Sequence, residues 1–502
     1  MHQPLTVFRS DTRVISPFAQ RLFRLFGCFS SAYVLLIFAI DGSLHFLWGV
    51  LLVGIGLISL FIYTGSKRRY YSPLIFTIFY FLGYLLAFTN ILVNKNEIPA
   101  IGYGAIGSFG FTDEEFFQVV VVIYIGMTGI MVATFLAERV FNRRYVINEG
   151  RLNLPFLHSK TFSLRNWVLL WFIFSVSLIL FMWHLGIGMV GLKPKITLPF
   201  KLVGTLVFLK TTFVPSIGIF LLGLALYTNR KRLTDLVFGM LVFVGILGSL
   251  ASISRGYIAT TASPALLFMV LTTYKGDWKK KRVLFYMVIL LITTVISIQA
   301  VAILRNIGFR TGDVSIYEPY VISGKQGKLD VVEAFSSFIP FVLERVPGIR
   351  SLLAVLSSSV SELYASWAVF IGDSYVENIL LSVYGFLPLV GDIHAFGTGF
   401  GLFGMFALSG SYIMIFLGAM ISCLIVIFIE NLFIKKGIYP VACFFSLYLS
   451  MKIWHGLYLF FLIRDGVIIL LCYVLIMRVL KLSANYNRYN KESKGMRPIL
   501  LR

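Results

Sequence analysis

The segment 45–64, HFLWGVLLVGIGLISLFIYT, runs for 20 residues without an Asp, Glu, Lys or Arg. That length suits a helix crossing the hydrocarbon core of a bilayer, which takes about 20 apolar residues. The pattern recurs along the whole chain. Twelve apolar segments can be drawn, at 24–40, 45–64, 72–93, 116–137, 166–185, 205–227, 235–253, 257–274, 283–303, 409–430, 438–454 and 457–478. Inside lipid every backbone N–H and C=O must find a partner within the chain, so such segments fold as helices. The composition agrees, with 13% charged residues where a soluble chain has about 25%. The expected fold class is all-α: a polytopic transmembrane helical bundle of about twelve spans.

The formal net charge is +22. Its distribution excludes nucleic acid as the reason. Basic residues collect at every second connection: Arg9/Arg13/Arg21/Arg24, Lys67/Arg68/Arg69, Arg139/Arg143/Arg144/Arg151 and Arg230/Lys231/Arg232. Lys275/Lys279/Lys280/Lys281/Arg282, Lys435/Lys436 and the tail Arg478/Lys481/Arg488/Lys491 continue the series. The connections between them read as nearly free of Lys and Arg. Cytoplasmic loops carry this excess, so both termini are expected in the cytoplasm.

Three parts follow: spans one to nine over 1–303, a large outward connection over 304–408, and the last three spans with a basic tail over 409–502. A connection of that length within a bundle usually carries function. It holds six basic residues against nine acidic ones, the reverse of the chain's overall balance. Tyr317, Tyr320, Tyr364, Trp367, Tyr375 and Tyr384 supply rings for stacking on sugars. Segments 333–345 and 351–371 read as amphipathic helices, the second lying on the membrane or dipping into it.

Few motifs of soluble enzymes are present. GYGAIG (Gly102 to Gly107) has the dinucleotide-loop spacing, but it follows a membrane span where a strand is needed. Cys28, Cys423, Cys443 and Cys472 all lie in apolar runs, with no CxxC and no even-spaced framework, so neither disulfides nor a metal is expected. The informative residues are cations on the outward side. Arg255, in ASISRGYIATT, occupies the tight turn between two spans, where positive charge is disfavoured. Arg305 and Arg310 directly follow the ninth span, and Arg464 with Asp465 lies in the outer part of the last. Guanidinium groups hold phosphate oxygens in a forked geometry. Lys210, within the sixth span, either faces a polar cavity or pairs with a carboxylate. His45, His184 and His455 lie near outer span ends, at the interface. Asp392 and His394 precede the tenth span, in GDIHAFGTGFGLFGMFALSG, and imidazole there serves as a base or holds phosphate.

This arrangement resembles the Wzy-type O-antigen polymerases, the oligosaccharide repeat unit polymerases. The resemblance rests on a Phe-rich, basic bundle of about twelve spans and on the outward turn in SRGYIATTASPALLF. It rests also on one large late loop and on the glycine-bearing entry HAFGTGFGLFGMFALSGSYIMIFLGAM. It implies a membrane glycosyltransferase working at the outer face of a bacterial inner membrane. Such an enzyme moves the growing glycan from undecaprenyl diphosphate to the terminal sugar of a new lipid-linked repeat unit. It implies contact with membrane lipid, no nucleic acid and no cofactor, and a separate chain-length regulator as partner. On this reading Arg255, Arg305, Arg310 and Arg464 grip the diphosphate, and Glu344, Asp392 and His394 are candidates for the base. Two alternatives share the setting. An O-antigen ligase uses the same donor, but Ala395 after His394 and the position of Gly404 depart from the ligase pattern. A lipid-linked oligosaccharide flippase needs no large loop and tends to show two similar halves, which this chain lacks.

Overall fold

A computed structural model describes residues 16–65, 70–93, 109–142, 164–187, 202–227, 230–252, 257–272, 280–309, 348–358, 360–371, 400–435 and 439–454, with positions 379, 383 and 466. Among these residues 91% are helical and none lies in a strand. The helices are α1 (Pro17–Asp41), α2 (Ser43–Tyr63), α3 (Ser72–Val93), α4 (Asp113–Asn142) and α5 (Leu164–His184). α6 joins Leu202–Phe208, a π-helical stretch Leu209–Phe213, and Val214–Tyr227. Then come α7 (Lys231–Ser252), α8 (Tyr257–Thr272), α9 (Lys280–Phe309), α10 (Ile349–Leu356), α11 (Leu363–Ile371), α12 (Leu402–Ala407), α13 (Tyr412–Lys435) and α14 (Tyr439–Trp454).

Nine helices among the described residues are long and apolar enough to cross a membrane. They match the first seven, the ninth and the tenth of the twelve expected segments. The eighth and eleventh are shorter helices, α8 and α14, of 16 residues each. The twelfth, apart from position 466, lies outside the described residues.

Local signals set the starts. Ser16 accepts a hydrogen bond from the Ala19 N–H at 3.1 Å, and Pro17 fills the first turn of α1. Thr112 and Glu115 form a reciprocal cap at the start of α4: Glu115 N–H donates to the Thr112 hydroxyl at 3.4 Å, and Thr112 N–H to the Glu115 carboxylate at 3.0 Å.

Small residues set the packing. A Cβ on Gly129 of α4 would stand 2.6 Å from the Phe416 carbonyl oxygen, so α4 and α13 meet backbone to backbone. α3 forms the centre: 72% of its most apolar stretch is buried, against 28% for α1, whose Leu25, Phe29, Leu36 and Ile40 are exposed. In a bilayer that exposed face meets lipid.

The late connection differs from its sequence reading. Segment 351–371 is two helices, α10 and α11, interrupted between Leu356 and Leu363. α10 is buried inside the bundle: Ile349, Leu352, Leu353 and Ala354 have no exposed surface. It packs against α3, α4 and α12. A Cβ on Gly348, just before it, would lie 2.2 Å from the Gly83 carbonyl oxygen. α12 likewise drives Phe403 onto Gly126 of α4 and Phe406 onto Gly418 of α13. Segments 333–345 and 102–107 lie outside the described residues.

Two further differences concern charge. α9 continues to Phe309, so Arg305 belongs to its last turns and does not follow it. The alternation of basic connections also has an exception, because Lys193, Lys195 and Lys201 stand between α5 and α6.

Candidate functional site

α6 ends, and α7 begins, at the basic group Arg230/Lys231/Arg232. The start of α6, the end of α7 and the start of α8 therefore share the opposite end of the bundle. α14 follows Lys435/Lys436, so its last residues share that end too.

The residues that meet there are Lys210, Thr212, Ser252, Tyr257, Tyr448 and Lys452. Lys210 is 3% exposed, although it stands in a membrane span. Its Nζ donates to the Ser252 hydroxyl at 2.5 Å and lies 5.4 Å from the centre of the Tyr257 ring. The Ser252 hydroxyl in turn donates a hydrogen bond to the Gly248 carbonyl. No carboxylate among the described residues forms an ion pair with Lys210. A cation in this setting is costly unless an anion reaches it.

The backbone is shaped to hold this lysine. The π-helical stretch widens α6, and the carbonyl of Lys210 accepts from the Tyr257 hydroxyl at 2.8 Å. Insertions of this kind recur at functional sites. Two residues further, the Thr212 hydroxyl donates to the Tyr448 hydroxyl at 3.2 Å, and Lys452 Nζ lies 5.6 Å from the Tyr448 ring. α6 thus links α7, α8 and α14 through hydroxyls and rings.

Ser252 ends α7 and Tyr257 begins α8, on either side of the connection that carries Arg255, so Lys210 is tied to both helices. Arg255 itself, with Arg310, Glu344, Asp392, His394 and Arg464, lies outside the described residues. For Arg305 the helix is described and the side chain is not. Tyr364 and Trp367 do appear on α11, 56% and 45% exposed, three residues apart and hence on one face. His45 is an internal partner: its Nδ1 meets Asp41 Oδ2 at 2.6 Å, and its ring stacks on Phe116 at 4.4 Å.

The sequence reading left Lys210 between two options and passed over Ser252, Tyr257 and Tyr448. Spacing held one signal. Lys210, Ser252 and Tyr257 each lie at the same depth from the basic connections, as the alternating direction of the spans requires. A second buried charge was also missed: Glu430 of α13, with no exposed surface. It accepts from the Tyr71 N–H at 2.5 Å, the Ser72 N–H at 3.0 Å and the Ser72 hydroxyl at 2.5 Å. A glutamate in an apolar span is itself the signal.

Among the described residues no group of three or more His, Cys, Asp or Glu side chains could hold a metal ion. A cleft of about 440 Å³ opens at the basic end, between α7 and α9, away from Lys210. Compared with known proteins, the chain matches no family model, no curated protein and no solved structure.

Proposed function

We propose that this protein is a glycan polymerase of a bacterial inner membrane, acting on lipid-linked repeat units at the outer face. The observation that carries this reading is Lys210: a buried cation without a carboxylate partner among the described residues, bonded to both helices flanking the Arg255 turn. An anionic diphosphate entering from the bilayer supplies the missing charge. The bundle on this reading has twelve spans, with both termini in the cytoplasm and residues 304–408 facing the periplasm.

In the reaction, the bond between the donor's anomeric carbon and its diphosphate oxygen breaks. A hydroxyl oxygen of the acceptor's terminal sugar forms the new glycosidic bond. Undecaprenyl diphosphate leaves with the electron pair. Its negative charge grows in the transition state, where preorganised cations stabilise it. Lys210 and Arg255 take that role, with Arg305, Arg310 and Arg464 as further phosphate ligands. The acceptor's proton passes to one of Glu344, Asp392 or His394. Tyr364 and Trp367 offer adjacent ring faces to the glycan.

The test is polymerisation by the purified full chain with lipid-linked repeat units. The parent protein is expected to yield a ladder of products. Lys210→Met keeps the volume and removes the charge. It should lower the rate about 100-fold, the usual loss for one transition-state donor. Its thermal midpoint should hold or rise, because an apolar replacement of a buried charge is often neutral or stabilising. A normal ladder from the folded variant would sink the Lys210 assignment. Movement of lipid-linked glycan across a bilayer without any product would replace the reading with transport.

A further inference from the structure

The cleft between α7 and α9 plays no part in that chemistry. Both helices start at the basic end and run side by side. The cleft is lined by Asp235, Phe238, Val242, Arg282, Tyr286 and Ile289, with Gly239 and Phe285 completing its walls. Its polar groups gather at the basic end. Arg282 Nη2 donates to Asp235 Oδ2 at 2.7 Å, and the Tyr286 hydroxyl donates to Asp235 Oδ1. Beyond them the α7 wall is apolar from Asp235 to Val242, about 10 Å at 1.5 Å per residue, and the α9 wall continues with Ile289. Gly239 leaves this trough open: a Cβ there would meet nothing within 4 Å.

A polar anchor above an apolar trough matches an amphiphile. Charge selects its head group. Lys231, Arg232 and Lys281 are exposed in the first turns of α7 and α9, at the same end as the Arg282–Asp235 pair, where Asp235 is the one carboxylate of the lining. Asp235 holds the Arg282 guanidinium in place, and the surrounding excess is positive. A zwitterionic lipid brings no net charge to that excess, whereas an anionic phosphodiester does.

We propose that this cleft binds an anionic glycerophospholipid. The phosphodiester rests on the cations that open α7 and α9, and one acyl chain lies over Gly239 between Phe238 and Phe285. The site is separate from the Lys210 cluster and stands whether or not the protein polymerises glycans.

The experiment uses the purified full chain in a non-ionic detergent, with lipid binding followed by native mass spectrometry. Dioleoylphosphatidylglycerol is expected to bind, and dioleoylphosphatidylcholine to bind at least about fivefold more weakly for each basic residue engaged. Glycerol 3-phosphate alone should not bind. Gly239→Leu fills the trough and leaves every charge in place. It should weaken phosphatidylglycerol binding about tenfold, as expected for displacing one or two buried methylenes. Lys281→Gln, at an exposed position, should weaken it about fivefold without altering the thermal midpoint. Equal binding of the two lipids, or unchanged binding by Gly239→Leu, overturns the proposal. Binding of glycerol 3-phosphate as tight as that of the lipid overturns it as well.

Discussion

Lys210 and Glu430 are both charged side chains buried within membrane spans, and their surroundings handle them in opposite ways. Glu430 meets the start of α3, where the first N–H groups of a helix lack partners and the helix dipole is positive. It accepts from Tyr71, Ser72 and the Ser72 hydroxyl, so its oxygens are satisfied within the protein. Lys210 receives only a hydroxyl and a ring face. The first arrangement is a structural clasp between α13 and α3, and the second leaves a buried cation with no carboxylate partner among the described residues. Glu430→Leu is therefore expected to cost stability and leave the chemistry of the opposite end unaltered. Two orphaned N–H groups amount to about 3 kcal/mol, read as a lower thermal midpoint in detergent. An unchanged midpoint would show that Glu430 is not the clasp. The sequence exposes both charges plainly. It does not reveal their roles, because the partners are 42 residues away in one case and 358 or more in the other.

At the scale of elements, the hairpin of α7 and α8 depends on a glycine. A Cβ on Gly248 would lie 2.0 Å from the Tyr257 ring, and one on Gly245 would lie 3.2 Å from the Ile258 backbone. Ser249 completes the contact by accepting the Ile258 N–H at 3.0 Å. Gly248→Val should push Tyr257 aside, break its bond to the Lys210 carbonyl and release Lys210 from the hairpin. Overpacking of this kind costs about 1–3 kcal/mol. The expected signature is a lowered thermal midpoint together with lost polymerisation. Retention of both would mean that the close contact is not needed. The apolar runs of these elements were readable in the sequence. The π-helical widening of α6 was not, since it depends on what α7 and α8 present to it. The break in 351–371 had a visible cue in its serines, which compete for backbone hydrogen bonds. The burial of α10 had none, because it rests on the close approach of Gly348 to Gly83.

At the scale of the molecule, the proposed topology puts the connections at Arg230/Lys231/Arg232 and Lys275–Arg282 on one side of the membrane and Arg255 on the other. Single cysteines at 231, 255 and 281 in a chain otherwise free of cysteine test this. A membrane-impermeant maleimide added to intact cells should label position 255 and spare the other two. Labelling of 231 or 281 under those conditions would reverse the orientation and with it the outer-face reading.

The sequence alone determined that this chain is a bundle of membrane helices, because apolar length and the need to satisfy backbone groups in lipid are local properties. It also determined which connections are basic. Only the tertiary structure decided which polar residues meet. Ser252, Tyr257 and Tyr448 look ordinary in the chain, and Lys210 is an isolated charge. Their union at one end of the bundle follows from the order in which α6, α7, α8 and α14 pack, and that order rests on glycine contacts and ring positions that no single segment encodes.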